Sequence, residues 1–204
     1  MLRNVKQSRS RPAGAHRLLV FVCVGLFMLP GSVQAYGDDE QLGVAREMIG
    51  VLNAYAVYKM GRYDEAFEQY RVLAEKGSRQ AMLNVANMYA QGLGTEQSDT
   101  LAFRWYLEAA KAEDAIGMVE VARAYEQGRG VDKDATMAEH WYLESAKAGN
   151  AEAQWIIGKR LFDSGEYEVG LEWIRLAANE EMAARKFLSK LERVSEKLSE
   201  DSGA

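Results

Sequence analysis

Residues 81–114 read AMLNVANMYAQGLGTEQSDTLAFRWYLEAAKAED, and residues 117–150 read GMVEVARAYEQGRGVDKDATMAEHWYLESAKAGN. Offset by 36 positions, the two stretches share 16 identities in 34 ungapped places. The shared residues are Met82, Val85, Ala86, Tyr89, Gln91, Gly92, Gly94, Thr100, Ala102, Trp105, Tyr106, Leu107, Glu108, Ala110, Lys111 and Ala112. Common helical composition does not produce Trp, Tyr and both loop glycines in register, so the chain contains an internal repeat, and the repeat dictates the fold.

Each copy reads as two antiparallel helices. Ala81, Val85, Ala86 and Tyr89 fall on one face of a first helix. Gln91-Gly92-Leu93-Gly94 stops it, because glycine takes the positive φ at which a chain leaves a helix. Asp99, or Asp134 in the next copy, is expected to cap the second helix, whose apolar positions are Ala102, Trp105, Tyr106 and Ala110. A lone hairpin cannot bury both faces. Stacked hairpins can, which makes a solenoid.

Working outward, two shorter copies flank this pair. Ala153 to Asn179 keeps Ile157-Gly158, Trp173 and Ala178 in register once four loop residues are dropped, and Tyr55 to Gly77 pairs Gly61-Arg62-Tyr63-Asp64-Glu65-Ala66 with residues 165–170. The expected plan is an opening segment and helix over 36–52, then four repeats at about 53–78, 79–114, 115–150 and 151–180. A capping helix over 181–198 and a flexible tail over 199–204 complete it. Residues 36–40 are expected to fray as well.

The first 35 residues differ from the rest. Arg3, Lys6, Arg9, Arg11 and Arg17 precede the apolar run from Leu18 to Leu29, which Pro30-Gly31 closes before Val33-Gln34-Ala35. That order is expected of a secretory signal peptide cleaved after Ala35, and it implies a periplasmic protein. The run is 12 residues long, short of the roughly 20 that span a bilayer core. Cys23 lies inside the run, so the remaining chain has no cysteine and no disulfide framework. From Tyr36 onward there are 20 Lys and Arg against 30 Asp and Glu, a net charge of −10. Such a chain is a poor partner for nucleic acid or anionic membrane surfaces, which call for clustered cations.

At these residues the sequence resembles the Sel-1-like repeats, relatives of the tetratricopeptide repeats. The third copy carries the pattern at Tyr125, Gly128, Gly130, Val131, Asp134, Ala138, Trp141, Tyr142, Ala146 and Gly149. In the second it stands at Tyr89, Gly92, Gly94, Ala102, Trp105, Tyr106, Ala109 and Ala110, with Thr95 in place of the valine. The resemblance implies an all-α, right-handed αα-hairpin solenoid. It further implies a scaffold or adaptor that binds protein or peptide on a concave surface lined by the first helices. One corresponding row on those helices is Tyr55, Asn87, Arg123 and Lys159. Neutral to basic on an acidic chain, it points to an acidic or carboxylate-bearing peptide.

Catalytic signatures are sparse. A hydrolase acting on cell-wall or β-lactam substrates, which some cysteine-rich relatives suggest, requires a nucleophile beside a base. His140 is the single histidine after residue 35 and has no nucleophile paired with it in the pattern. Asp132-Lys133-Asp134 lacks the later glycine and glutamate of a calcium loop, with Met137 and Leu143 in those places. No cofactor-binding motif is present, and the reading is a non-catalytic envelope adaptor. A regulator that sequesters a sensor-kinase ectodomain is a second form of the same idea.

Overall fold

A computed structural model describes residues 32–202 of the chain. Among them are α1 (Ser32–Lys59), α2 (Tyr63–Glu75), α3 (Arg79–Gln91), α4 (Asp99–Lys111), α5 (Ala115–Gln127), α6 (Ala135–Lys147), α7 (Ala151–Asp163), α8 (Tyr167–Ala177) and α9 (Met182–Ser202). No strand occurs among the described residues. The chain divides into two compact units, residues 1–44 and 45–204. Of the first, the described residues 32–44 are the leading residues of α1. The expected cationic and apolar opening segment, up to residue 31, lies outside the described residues.

The second unit is an α-solenoid. From α2 to α9 each helix packs against the next in chain order, and the end of α1 supplies the first helix of the first hairpin, with Val51, Ala54, Val57 and Tyr58 packing around Phe67, Tyr70 and Val85. The core is a chain of clusters linked by shared side chains, as stacked repeats require. Trp105 touches the first two clusters and Trp141 the second and third. Phe67 of α2 meets Tyr89 of α3 edge to face, and Phe103 of α4 meets Tyr125 of α5 likewise, with centroids 5.1 and 5.4 Å apart. The recurrence of Tyr89 at Tyr125 thus marks an aromatic contact between copies, a geometry that adds to simple area burial.

The loops explain the two repeat lengths. Seven residues join α3 to α4 (92–98) and α5 to α6 (128–134), against three between α1 and α2 and between α7 and α8. Gly92 and Gly128 end the first helices at φ +67° and +72°, donating to Met88 and Ala124 carbonyls. The long loop closes where Ser98 N–H donates to Tyr89 O and Asp134 N–H to Tyr125 O.

Capping departs from expectation in one copy. Asp134 caps α6, accepting from the Thr136 and Met137 amides. In the second copy the cap is Ser98, which accepts from Leu101 N–H, while Asp99 is the first residue inside α4. Ser98, not Asp99, is in register with Asp134. A carboxylate inside the first turn still favours the helix through its dipole, so both residues help by different means. The first helices have their own column of caps, Ser78, Asp114 and Asn150.

Both expected frayed ends are helical where described. α1 begins at Ser32, so residues 36–40 are inside it, and α9 continues past residue 198 to Ser202. No proline stands in either stretch to remove a helical hydrogen bond.

Candidate binding site on the first-helix face

One column of side chains organises the space between the helices of each hairpin. Tyr70, Tyr106, Tyr142 and Ile174 are each the eighth residue of a second helix, α2, α4, α6 and α8. All four are buried, Tyr70 and Tyr142 to 2% exposure and Tyr106 to 7%. A buried phenol needs a hydrogen-bond partner. Tyr106 donates to Asn87 Oδ1 at 2.6 Å and Tyr142 to Glu126 Oε2 at 3.0 Å, both on the first helix of the same copy. Tyr70 differs. In register with Asn87 and Glu126, α1 carries the phenols Tyr55 and Tyr58, and among the described residues the Tyr70 hydroxyl has no hydrogen-bond partner.

Tyr70 lines a pocket of about 160 Å³ formed by α1, α2, α3 and the turn after α3. The other lining residues are Tyr55, Tyr58, Asn84, Asn87, Met88, Gln91 and Leu93. None of these is an Asp, Glu, His, Lys or Arg. Burial, then the nearby Tyr55 and Tyr58, push the Tyr70 pKa up to about 12, so it remains a proton donor. Because Asn87 Oδ1 accepts from Tyr106, its Nδ2 is left as a donor. Asn84 and Gln91 each add a donor and an acceptor.

The row Tyr55, Asn87, Arg123 and Lys159 is split by this geometry. Tyr55 and Asn87 meet in the pocket. Arg123 and Lys159 lie further along, on α5 and α7, and their charges are met within the chain. Arg123 pairs with Glu120 on its own helix and Glu152 of α7. Burial opposes its charged form, but the two carboxylates outweigh that and lift its pKa above the usual value. Lys159 pairs with Asp163, its ammonium 5.6 Å from the centre of the Phe187 ring. The row therefore offers no surplus positive charge to an acidic peptide. Beside it Arg160 bridges Glu126, at 2.6 Å, and Glu139, with its guanidinium 4.9 Å from the Tyr142 ring centre. These contacts tie the third copy to the fourth.

His140 is exposed on α6, and its one described ring contact is with Trp141 at 5.5 Å, edge to face. Asp132 and Asp134 are exposed loop residues, and Asp134 is committed to its cap. No group of three His, Cys, Asp or Glu side chains is placed to hold a metal ion among the described residues. No described helix is long and apolar enough to cross a membrane.

Of the pocket, the first-helix row reached only Tyr55 and Asn87. Tyr58, Tyr70, Asn84 and Gln91 were missed. A signal for Tyr70 does exist, in the 36-residue spacing of Tyr70, Tyr106 and Tyr142. Reading it requires knowing which first-helix positions face the column.

Three buried tyrosines with raised pKa values make one prediction. Tyr70, Tyr106 and Tyr142 each titrate at about 12 in the folded chain against an ordinary 10. Burial is the first cause in all three, followed by Tyr55 for Tyr70, Glu120 for Tyr106 and the Glu126 hydrogen bond for Tyr142. The folded state then binds more protons than the unfolded one between pH 10 and 12. Their stabilising contribution is full below pH 10 and is lost as pH rises through 12. A spectroscopic tyrosinate titration should show late-ionising phenols that coincide with loss of helicity. Ionisation of all ten tyrosines near the ordinary value, with the helices intact, would contradict this.

The architecture and the column define a class, an α-solenoid of paired helices with its variable polar residues on the first-helix face. The Sel1 repeat family model matches residues 79–114 and 115–150, so the chain carries two Sel1 repeats in its second and third copies. Over 57 residues it is 47% identical to an exopolysaccharide production negative regulator of Rhizobium meliloti (strain 1021), a match covering 28% of this chain and 21% of that one. A Sel1 repeat protein from Oxalobacter formigenes superposes with a TM-score of 0.59 at 26% identity, covering 65% of this chain and 54% of the other. A protective antigen of uropathogenic Escherichia coli, displaying an SLR fold, superposes at 0.52 and 32% identity over 58% of this chain and 26% of its own. The chain thus spans about a fifth of the length of its curated relative and about half of the first of these structures. Sel1 repeats are typically protein-interaction scaffolds.

Proposed function

We propose that this chain is a non-catalytic adaptor of a Gram-negative-type cell envelope, holding a partner protein or peptide on the concave surface lined by its first helices. The observation that carries the reading is the pocket between Tyr55 and Asn87. It joins two members of the first-helix row and presents hydrogen-bonding groups that have no partners among the described residues. The periplasmic location rests on the basic, apolar, small-x-Ala order of the first 35 residues. A regulatory output is the second reading, supported by the name of the partial relative, a negative regulator of exopolysaccharide production.

A photo-crosslinking residue placed at Asn87, and separately at His140 on α6, tests the proposal in intact cells. The expected result is discrete protein adducts from position 87 and none from 140, recovered in the periplasmic fraction on a chain beginning at Tyr36. Equal labelling from both positions would sink the binding-face assignment. Retention of residues 1–35 on a cytoplasmic chain would sink the localisation. Turnover of a cell-wall or β-lactam substrate, lost on His140→Ala, would replace the adaptor with an enzyme.

A further inference from the structure

We propose that the pocket between α1, α2 and α3 is a selectivity pocket for one uncharged, amide-bearing side chain, Gln or Asn, of an extended partner peptide. The assignment rests on the adaptor reading above and specifies what that face selects.

Size sets the first limit. Pockets for drug-sized ligands start at about 300 Å³. At about 160 Å³ this one accepts a single side chain and not a folded element. Chemistry sets the second. Three phenols, Tyr55, Tyr58 and Tyr70, and three amides, Asn84, Asn87 and Gln91, surround the space with Met88 and Leu93. A charged side chain entering it would lose water and gain no counter-ion, a costly transfer. An aliphatic side chain would displace water from these polar groups without replacing its hydrogen bonds, which is also unfavourable.

A carboxamide avoids both penalties, because it carries an acceptor and two donors in one plane. The Tyr70 hydroxyl and the Asn87 Nδ2 are donors suited to its carbonyl oxygen. The amide oxygens of Asn84 and Gln91 are acceptors suited to its NH₂ group.

Comparison along the chain argues against a merely structural role for Tyr70. In the next two copies the same phenol is bonded within the fold, to Asn87 and Glu126. Tyr70 is 98% buried and lines the pocket, yet its hydroxyl has no hydrogen-bond partner among the described residues. Packing alone would be served by Phe, since the equivalent place in the last copy is the wholly apolar Ile174.

The test pans a phage-displayed random peptide library against the full chain, then measures synthetic peptides by titration calorimetry. Enriched peptides should share Gln or Asn at one position. Replacing that residue by Glu or by Leu should weaken binding about tenfold or more, and Tyr70→Phe should weaken the amide peptide about tenfold, the worth of one hydrogen bond. The Tyr70→Phe loss should vanish for the Leu-substituted peptide, because the bond it removes is then absent from both proteins. Enriched peptides with no common amide, or with affinity untouched by both Tyr70→Phe and Asn84→Ala, would overturn the pocket assignment and leave the adaptor reading standing. Binding of glucose or N-acetylglucosamine with no peptide enriched would overturn it in favour of a glycan. No peptide enriched together with no envelope crosslinks would remove both proposals.

Discussion

Gly130→Ala is expected to destabilise the solenoid by about 3–5 kcal/mol, while Gly128→Ala, two residues away, is expected to cost about 1–2 kcal/mol. Both glycines hold positive φ, +69° and +72°, so the penalty for placing a side chain in the left-handed region applies to each. Space separates them. A Cβ on Gly128 would find its nearest atom, Lys133 Cβ, at 3.5 Å, an ordinary contact. On Gly130 it would lie 2.1 Å from the carbonyl oxygen of Asp99 and 2.9 Å from the Thr100 nitrogen. Those are backbone atoms at the start of α4, in the preceding copy, and they cannot rotate away as a side chain can. The same arrangement recurs one copy earlier, where a Cβ on Gly94 would lie 2.2 Å from Tyr63 O at the start of α2. Each long loop therefore rests its second glycine on the second helix of the copy before it. Such nearest-neighbour contacts supply much of a solenoid's stability. Urea unfolding measures the difference between the two variants, and hydrogen exchange should place the Gly130→Ala loss around the start of α4 and the α5–α6 loop. Equal losses from Gly128→Ala and Gly130→Ala would refute the close-approach explanation.

This contrast shows what the sequence could and could not disclose. Periodicity identified Gly92, Gly94, Gly128 and Gly130 as turn residues, since a glycine pair recurring in register is visible without coordinates. It could not distinguish the open glycine from the crowded one, because the crowding comes from the neighbouring copy. The caps behave likewise: Asp134 was legible, and Ser98 was missed only because an adjacent aspartate offered a stronger local signal than the register. The first-helix row was found by counting, and counting is blind to what each side chain meets. Arg123 and Lys159 looked like free cations until Glu120, Glu152 and Asp163 were found beside them. Glu120 and Asp163 are three and four residues away on the same helices, so those pairs were readable from spacing. Glu152 is on the next first helix, and only the fold brings it to Arg123. The pocket is the extreme case, since there α1 places Tyr55 and Tyr58 where the next two copies carry the Asn87 and Glu126 partners of the column, and only the fold shows Tyr70 without a hydrogen-bond partner among the described residues.

The tyrosine column supplies the second large effect, and it bears on that pocket. Tyr142→Ala is expected to cost about 3–5 kcal/mol, the usual range for truncating a buried aromatic. Tyr142 is 2% exposed, packs with Val119, Ala122, Ala146 and Ile157, and carries the Arg160 guanidinium near its ring. Its removal would leave a cavity between the third and fourth copies. Tyr142→Phe keeps the ring and loses only the bond to Glu126, so about 0.5–1.5 kcal/mol is expected. Tyr70→Phe removes a hydroxyl with no partner among the described residues, and its effect should stay within about 0.5 kcal/mol of zero. Chemical denaturation of the three variants should therefore give the order Tyr142→Ala, Tyr142→Phe, Tyr70→Phe, from most to least destabilised. The last comparison is the sharpest, because the two Phe variants make the same chemical change at equivalent, equally buried positions. If Tyr70→Phe proved as costly as Tyr142→Phe, the Tyr70 hydroxyl would be bonded within the folded chain, and the selectivity pocket would lose its basis. If it proves neutral for stability while lowering affinity for an amide-bearing peptide, the first tyrosine of the column is held for a ligand, and its counterparts at 106 and 142 for the fold.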